Sequence, residues 1–431
     1  MEEPKKISEA EFAQAREEIA AIDEKIAVLF EERMKKSALI ADYKAERGLP
    51  TRDPVREQAL IARNAAKIAD DCVRAVYPAV EESVMAASRR FQEDRRNPGS
   101  FVSAGGRVHF CRGGAKRLAD FTDTGRKTMI VTDSGVPEKW AALVASQFPR
   151  HAIFRFPAGE ASKSPETLGK LLTALTENGF TRSDALLALG GGVVTDLTAF
   201  AAGIYLRGVR CVSVPTTLLA QADAAVGGKN GIDFGGIKNS VGLFRAPETT
   251  VIDPALTETL NERQIANGTA EIIKIALTLD KELFEKLEKA NGKVTDEILL
   301  RAIGLKRDIV GKDEKEQTGA RRVLNFGHTL GHGIEAAAEG KLLHGEAVAV
   351  GMLPITEEKT RKRLIKLYEK TGLPQTAEYD PEKAYRAMKH DKKAGENGVT
   401  VITVSEPGKF AFRTLDEGEL KKLAYGEGIG E

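Results

Sequence analysis

Four residues in the second half of the chain have the types and spacing of a metal site. His328 and His332 lie four residues apart in the run Asn-Phe-Gly-His-Thr-Leu-Gly-His, so on a helix they share one face. His344 follows in a His-Gly-Glu run, and Glu271 lies in an earlier segment of helical pattern. Two histidines and a carboxylate bind a zinc-type ion and leave coordination positions open. The pattern therefore predicts a catalytic metal centre.

A glycine cluster earlier in the chain is suited to binding a nucleotide. The three glycines at 190–192 lie between a predicted strand and an Ala-rich helix, where backbone N–H groups can approach a pyrophosphate. The run is not the G-x-G-x-x-G fingerprint, and alone it fits a tight turn equally well. Its neighbours favour the nucleotide. They are a Gly-Glu-x-x-Lys run at 159–163, Asp196 inside the helix, and Thr216 and Thr217 after the next strand.

Basic residues are concentrated in the same part of the chain, several of them in glycine-rich turns. They are Arg207, Lys229, Lys238, Lys274, Lys306, Arg321, Lys392 and Lys393. Cations of this kind form charge-assisted hydrogen bonds with phosphate and carboxylate groups. Together with a dinucleotide and a metal, they indicate a phosphorylated polyol as the substrate.

A second set of charges lies in the first 97 residues. Arg33 and Lys44 are eleven residues apart, about three helical turns, so their side chains can converge on one small anion. Arg16 lies about 25 Å from Arg33 along a helix axis and could reach only the ligand of a partner chain. The next two helices align Asp53, Arg56 and Glu57 on one face, and Ser88 and Gln92 on another. Taken singly, each of these charges is typical of a solvated helix face.

The elements that must position these groups divide the chain in two. Of the 41 glycines, only Gly48 lies in residues 1–97, a segment of helical composition rich in Ala, Glu and Arg. Apolar spacing predicts one helix over 8–46, about 58 Å long, and shorter helices near 54–70 and 72–96. Because the long helix would overhang the others, we expect it to bury its apolar stripe in an intertwined dimer.

The rest of the chain alternates strand and helix before it becomes mostly helical. Predicted strands at 128–132, 184–189 and 209–214 indicate a parallel sheet with ligands at the carboxyl ends of its strands. From about residue 255 the pattern is helical. We therefore predict domains at 1–97, 98–255 and 256–431.

Composition narrows the class of protein further. Lys and Arg total 64 against 63 for Asp and Glu in 431 residues, a balance that argues against binding to nucleic acid or a membrane surface. Cys72, Cys111 and Cys211 match no metal-ligand or disulfide spacing. A charged start without an apolar run, and no apolar stretch of about 20 residues, predict a cytoplasmic protein with reduced thiols and small-molecule partners.

Residues 8–95 resemble the all-helical chorismate mutase family, and the run Arg-Asp-Pro-Val-Arg-Glu at 52–57 carries the resemblance. It implies a pericyclic rearrangement of chorismate to prephenate, which needs cations that hold a dianion and stabilise charge on the ether oxygen. It implies that Arg16 of the partner chain, Arg33 and Arg56 hold the carboxylates, that Lys44 and Gln92 face the ether oxygen, that Glu57 takes the ring hydroxyl, and that Asp53 and Ser88 orient the substrate. A sensor of pathway products is the alternative.

Residues 100–425 resemble 3-dehydroquinate synthase. The resemblance rests on the runs 157–163, 190–196, 215–221 and 324–329. It implies a Rossmann-like α/β domain for NAD followed by a mainly α-helical metal domain. It also implies that 3-deoxy-D-arabino-heptulosonate 7-phosphate loses phosphate and closes to 3-dehydroquinate, while NAD takes a hydride and returns it.

The same resemblance assigns roles to individual residues. It implies that Glu271, His328 and His344 bind Zn²⁺ or Co²⁺. Substrate and phosphate would be held by Lys229, Asn239, Lys274, Arg321, Asn325, His332 and Lys392, with Arg207 reaching in from the other subunit of a homodimer. NAD would be held by Asp133, Glu160, Lys163, Gly191, Gly192, Asp196, Thr216 and Thr217. Asp223, Lys238, Lys306 and Glu316 would complete the polar shell, Asp223 on the substrate side and Lys238 on the cofactor side.

Two departures from the family pattern and two rival functions stay open at this point. The segment from Glu316 to Arg321 is one residue too long, so Gln317 competes for the acidic position, and Asp233 stands where Asn is usual. One rival is a sister sugar-phosphate cyclase that makes an inosose or a valiolone. The other is a polyol dehydrogenase, which would not need so many phosphate-directed cations. The fused mutase-like domain favours the shikimate route.

Overall fold

The structure, a computed structural model, describes residues 7–47, 51, 53–96, 99–390, 394–395 and 398–426. Two compact units make up the chain, residues 1–100 and 101–431. Among the described residues we find no helix whose length and hydropathy would let it cross a bilayer. Gly48 and the predicted basic residues Lys392 and Lys393 lie outside the described part of the chain.

The first unit consists of three helices, as predicted. They are α1 (Glu9–Glu46), α2 (Pro54–Ala65) and α3 (Asp71–Arg96). Ser8 and Glu11 form a capping box at the start of α1, since Ser8 Oγ accepts from Glu11 N at 3.2 Å and Glu11 Oε2 accepts from Ser8 N at 2.9 Å. The second helix ends earlier than the predicted residue 70, because Asp70 caps α3 by accepting a hydrogen bond from Val73 N at 2.9 Å.

The long helix leaves its apolar stripe uncovered within one chain. Ile19, Ile22, Ile26 and Leu29 repeat at helical spacing and are 53–63% exposed. Such a contiguous apolar surface is typical of an interface. The predicted intertwined dimer would bury it, and that dimer stays a prediction.

The larger part of the chain combines a main sheet with flanking helices and two smaller sheets. The strands are β1 (Ser100–Ser103), β2 (Gly106–Phe110), β3 (Thr128–Asp133), β4 (His151–Phe156), β5 (Ala185–Gly190), β6 (Arg210–Pro215), β7 (Lys229–Phe234), β8 (Ile237–Phe244), β9 (Thr249–Ile252), β10 (Ala394–Gly395), β11 (Gly398–Glu406) and β12 (Lys409–Leu415). The helices are α4 (Glu138–Ala145), α5 (Pro165–Glu177), α6 (Gly192–Ile204), α7 (Glu262–Leu279), α8 (Lys281–Lys289), α9 (Asp296–Lys312), α10 (His328–Ala337), α11 (His344–Met352), α12 (Glu358–Thr371), α13 (Pro381–His390) and α14 (Glu417–Ala424).

Seven strands form one sheet in the order β1-β2-β9-β6-β5-β3-β4, and the pairs from β2 to β4 are parallel. Every residue of β3 and of β5 is buried, as expected for parallel strands covered on both faces. Gly190 pairs with Pro215 at the ends of β5 and β6, so the glycine cluster and Thr216 meet at the carboxyl edge of the sheet. The three predicted strands are confirmed to within one residue at each end.

The chain after β9 is mainly helical, as predicted, with a small antiparallel sheet of β10, β11 and β12 added near the end. Its core is continuous with the base of the large sheet, because Val108 and Ile252 belong to the same buried cluster as Ile273, Leu330 and Val348. The predicted boundary at residue 255 stays a prediction within this compact unit.

Candidate active sites

Three helices bring the predicted metal ligands together. Glu271 lies in the middle of α7, while His328 and His344 are the first residues of α10 and α11. Glu271 Oε1 lies 3.6 Å from His328 Nε2 and 3.4 Å from His344 Nε2. His332 joins the cluster, since one nitrogen from each of the three histidines lies within 4.8 Å of the others. The three histidines therefore form one group, and the Glu271 carboxylate lies against two of them.

Glu271 has the negative charge and an available carboxylate oxygen, as a metal ligand needs. Its side chain is completely buried, which by itself raises its pKa, but Lys274, His328 and His344 outweigh burial and hold the pKa well below its usual value. One carboxylate oxygen accepts from Lys274, and the other finds no hydrogen-bond donor among the described residues. A bound cation would relieve the cost of that unpaired oxygen.

The surroundings shift the pKa values of His328 and His344 in opposite directions. Burial and the neighbouring Lys274 lower the pKa of His328 well below its usual value, which keeps it neutral as a metal ligand must be. Burial also acts to lower the pKa of His344, but the carboxylates of Glu271 and Glu335 raise it to about 10. The carboxylates thus favour a positive charge at this position, and the nitrogen and oxygen donor set suits a zinc-type ion.

A group of buried cations lies close to the metal ligands. Lys306 on α9 pairs with Asp223 in the π-helical turn Ala220–Ala224, with 2.6 Å between Nζ and Oδ1. Burial lowers the pKa of Lys306 although Asp223 opposes it. Arg321 is buried and donates from Nη1 to the carbonyl oxygens of Gly227 and Glu314, each at 3.1 Å. A Cβ on Gly227 would lie 2.6 Å from the Arg321 guanidinium, so this position requires glycine.

At the carboxyl edge of the sheet, one buried lysine connects the predicted cofactor residues. Lys163 Nζ donates to Asp196 Oδ2 at 2.6 Å and to Asn239 Oδ1 at 2.5 Å. Asp196 lies in the first turns of α6, which Gly191 precedes. Asn239, predicted on the substrate side, is therefore tied to a predicted cofactor residue. Asp133 ends β3, where its Oδ1 accepts from Gly135 N at 2.8 Å.

Lys163→Met is expected to lower the free energy of unfolding of the larger unit by about 3 kcal/mol, because Asp196 would stay buried without its cation. The loss should grow with pH. Burial already raises the pKa of Asp196 against the attraction of Lys163, and loss of the lysine would raise it further above the unfolded value. A carboxyl with a raised folded pKa stabilises below its unfolded pKa and loses that contribution as pH rises through the folded pKa.

Urea unfolding at about pH 5 and pH 8 measures this difference. Lys170→Met is the matched control, because Lys170 is exposed on neighbouring α5. Equal losses for Lys163→Met at the two pH values would contradict the coupling to Asp196.

The helical unit has its own polar cluster between α1 and α3. Ser37 and Ser88 are buried with 2.7 Å between their hydroxyl oxygens, and Gln92 Nε2 donates to Ser88 Oγ at 3.4 Å. Arg33 Nη1 and Gln92 Oε1 are buried and find no hydrogen-bond partner among the residues that the structure describes. Buried polar atoms of this kind are costly unless a ligand satisfies them. Arg33 and Gln92 thus offer a donor and an acceptor.

The other predicted residues of this cluster have varied surroundings. Glu57 accepts from Arg89 Nη1 at 2.6 Å, and Lys44 donates to the carbonyl oxygen of Thr51 at 2.7 Å. Asp53 caps α2 through Arg56 N at 3.1 Å. The structure therefore gives Asp53 a local role at the start of this helix. Arg16 is exposed on α1 and stacks over the Phe12 ring, and the Arg56 side chain is also exposed.

Comparison with known proteins separates the same two parts of the chain. Residues 15–93 match the family model for chorismate mutase type II. Residues 153–267 and 268–394 match the N-terminal and C-terminal models for 3-dehydroquinate synthase. The 3-dehydroquinate synthase of Streptococcus thermophilus strain LMD-9 is 40% identical over 320 residues, which cover 69% of this chain and 89% of that protein. The enzyme of Streptococcus sanguinis strain SK36 is 40% identical over 322 residues, 69% of this chain and 90% of its own length.

The chain belongs to the 3-dehydroquinate synthase family. It carries a chorismate mutase type II domain in front of the synthase domains, so the predicted fusion of two enzyme domains of the shikimate pathway is confirmed. A solved 2-epi-5-epi-valiolone synthase from Streptomyces hygroscopicus with NAD⁺ and Zn²⁺ bound is 27% identical, with a TM-score of 0.67 over 74% of this chain and 95% of that one. A 2-deoxy-scyllo-inosose synthase complexed with carbaglucose-6-phosphate, NAD⁺ and Co²⁺ is 24% identical, with a TM-score of 0.69 over 75% and 99%. The predicted fold class is thereby confirmed.

Glu316 and Gln317, the two candidates for the acidic position, have different contacts in the structure. The Glu316 carboxylate pairs with Lys229 and lies 3.8 Å from Arg321 Nε. Gln317 instead donates its backbone N–H to Asp313 Oδ1 at 2.8 Å. Glu316 also has a left-handed φ of 57°. The role of Glu316 at the acidic position stays a prediction.

For several other predicted site residues the structure shows the position in the fold, and their roles stay predictions. Arg207 is exposed after α6 with a φ of 65°, where the resemblance would have it reach another subunit. Asn325 ends a 3₁₀ turn three residues before His328, and Glu160 begins another 3₁₀ turn shortly after β4. Thr216 N donates to Gly190 O at 2.9 Å. Lys392 cannot be placed because it lies outside the described residues.

Sequence reasoning missed four residues that contact the predicted ones. They are Ser37, Arg89, Glu335 and Asp233. The sequence identifies Asp233 only as a departure from the family pattern, without a role. Asp233 Oδ1 accepts from Asn239 N at 2.8 Å and so shapes the turn that presents Asn239. Glu335 had a usable signal, since it lies three residues after His332 on the same helix face. Ser37 and Arg89 depend on how α1, α2 and α3 pack, which helical spacing alone does not specify.

Proposed function

We propose that this chain converts 3-deoxy-D-arabino-heptulosonate 7-phosphate to 3-dehydroquinate and phosphate, and rearranges chorismate to prephenate in its helical unit. The observation that carries the first activity is the convergence of Glu271, His328 and His344 beside buried cations. The second rests on Arg33 Nη1 and Gln92 Oε1, two buried atoms of a mutase-type domain that have no hydrogen-bond partner among the described residues.

The cluster of Glu271, His328 and His344 would hold Zn²⁺ or Co²⁺, the ions named for the two solved cyclases. When bound, such an ion polarises a coordinated hydroxyl and favours its ionised form. The chain supplies an ionised Glu271 and a neutral His328, the states in which both are ligands. His332 lies beside them, more exposed, where it can hydrogen-bond a substrate hydroxyl.

The cations fit a substrate that carries both a phosphate and a carboxylate. Lys274, Lys306 and Arg321 are nearly fully buried, and Lys229 lies at the rim of the same region with Glu316. Buried cations at this density bind anions through charge-assisted hydrogen bonds. Their acidic partners Asp223 and Glu316 fix their positions before substrate arrives. A polyol without phosphate or carboxylate has no anionic group for these cations to bind.

The nucleotide would lie at the carboxyl edge of the sheet, against the glycines that precede α6. Reversible hydride transfer is the chemistry that NAD supplies when bound. Gly191 and Gly192 leave room there for backbone N–H groups to reach a pyrophosphate. Lys163, held between Asp196 and Asn239, adds a positive charge at the same edge.

The helical unit would act by holding chorismate in a reactive conformation. The rearrangement moves no proton, so fixed donors and cations suffice. Arg33, Lys44 and Gln92 would surround the substrate, and the exposed Arg16 would complete the site of a partner chain. A homodimer through both units would bury the apolar stripe of α1 and place Arg207 near a second synthase site. Partners would otherwise be small anions in the cytoplasm.

One contact favours a second candidate function for the helical unit. Arg89 Nη1 lies 2.6 Å from Glu57 Oε2, so the carboxylate that a mutase would offer to the ring hydroxyl already has a partner. A domain of this kind could sense a pathway product rather than rearrange chorismate. The mutase and synthase steps are not consecutive, which is compatible with feedback sensing.

A substrate panel tests the synthase proposal. Purified protein loaded with NAD and Zn²⁺ or Co²⁺ should release phosphate from the heptulosonate phosphate at least about a hundredfold faster than from glucose 6-phosphate, because only the former offers a carboxylate to the cations. Release from glucose 6-phosphate alone would instead assign the chain to a sister cyclase.

A further inference from the structure

We propose that Glu335 is a positioning residue of the metal centre, which orients His344 with one carboxylate oxygen and anchors the β7–β8 hairpin with the other. The proposal rests on the metal site of the proposed function and adds a residue to which that function assigns no role. It concerns metal affinity, which can be measured without any substrate.

Glu335 contacts two predicted site residues at the same time. Its Oε2 lies 3.1 Å from His344 Nδ1, and its Oε1 accepts from Lys238 Nζ at 2.7 Å. Only 12% of the side chain is exposed. Glu335 follows His328 by seven residues on α10, two helical turns, so both face the same cluster.

The contact with His344 decides which ring nitrogen can bind metal. His344 Nε2 faces Glu271 Oε1 at 3.4 Å, whereas Nδ1 faces Glu335. A proton on Nδ1 directed at Glu335 leaves the Nε2 lone pair for the ion, and the carboxylate makes the ring a stronger base. His328 is held differently, because its Nδ1 lies 3.1 Å from the carbonyl oxygen of Phe326. His344 is thus the ligand that depends on an acidic side chain.

The contact with Lys238 links the metal centre to the cofactor side. Lys238 begins the segment of β8 that continues with Asn239, and Asn239 Oδ1 accepts from Lys163. One carboxylate therefore joins α10 to a hairpin that touches the predicted nucleotide site. Loss of its charge should loosen His344 and release the hairpin, although no ligand itself is removed.

The experiment measures the Zn²⁺ affinity of metal-free protein by competition with a chelator, together with the visible spectrum of the Co²⁺ form. Glu335→Gln keeps an acceptor for His344 but loses the charge and should bind Zn²⁺ about tenfold more weakly. Glu335→Ala loses both and should bind about a hundredfold more weakly. Both should shift the Co²⁺ bands. Glu339→Gln is the matched control, because Glu339 pairs with exposed Lys383 just beyond the same helix.

Melting of the metal-free proteins separates this effect from misfolding. If Glu335→Ala does not fold, the milder Glu335→Gln still decides the matter. Affinities and Co²⁺ spectra equal to those of the wild type would overturn the proposal while leaving the proposed function intact. A wild-type protein that binds no divalent ion would instead refute the metal site itself, and with it both proposals.

Discussion

His328→Ala is expected to abolish tight metal binding and to lower the rate of phosphate release about a thousandfold or more, the effect of losing several kcal/mol of charge stabilisation. His328 is buried at the start of α10 with Nε2 3.6 Å from Glu271 Oε1, so its loss removes the buried imidazole from the ligand set and leaves the more exposed His332 beside the gap. Metal content by elemental analysis and steady-state phosphate release measure the two effects. They should disappear together.

His151→Ala serves as the control for this variant. His151 is an exposed residue of β4 whose Nδ1 contacts the carbonyl oxygen of Phe148. It should keep its metal and its rate of phosphate release. Full metal occupancy in His328→Ala would contradict the ligand set, and so would a parallel loss in His151→Ala. Prephenate formation should stay within about twofold in both variants because the mutase uses other residues.

Arg33→Ala is expected to slow prephenate formation about a hundredfold or more while phosphate release stays within about twofold. The guanidinium has a buried Nη1 without a partner among the described residues, next to a helix that buries Ser88 and Gln92. A charge-assisted hydrogen bond to a substrate carboxylate contributes up to about 3 kcal/mol, and that upper value corresponds to a change in rate of about 150-fold. Loss of chorismate absorbance and formation of prephenate provide the measurement.

Lys35→Ala is the matched control on the same helix. Lys35 is exposed and pairs with Glu31 one turn away, so its removal should leave both reactions unchanged. A normal mutase rate in Arg33→Ala would contradict the assigned site. A wild-type protein that binds prephenate but forms none from chorismate would support the sensor function instead.

The elements that the sequence predicts well are those whose pattern is local. The apolar spacing that predicts α1 depends on residues within a few turns of one another, and the helix is confirmed. The parallel strands could be predicted from the sequence because β3 and β5 are short, apolar and followed by turns. The prediction that α2 extends to residue 70 was wrong. Asp70 caps the start of α3 instead, and apolar spacing does not show where a capping residue begins a new helix.

The parts of the sites that could not be predicted depend on distant segments. His328 and His332 are linked by helical spacing, but Glu335 becomes informative only when α11 brings His344 to it and β8 brings Lys238. The pairing of Glu316 with Lys229 likewise joins segments that are far apart in the sequence, so counting positions along the chain does not reveal it.

The most direct test of the central claim is a paired assay of one preparation of the full chain, loaded with NAD and Zn²⁺ or Co²⁺. It follows phosphate release from 3-deoxy-D-arabino-heptulosonate 7-phosphate and prephenate formation from chorismate. We predict that the wild-type protein performs both reactions, and that removing the metal with a chelator stops the first and leaves the second within about twofold, because a pericyclic step needs no metal. Absence of either reaction, or loss of both with the metal, would contradict an enzyme with two independent active sites.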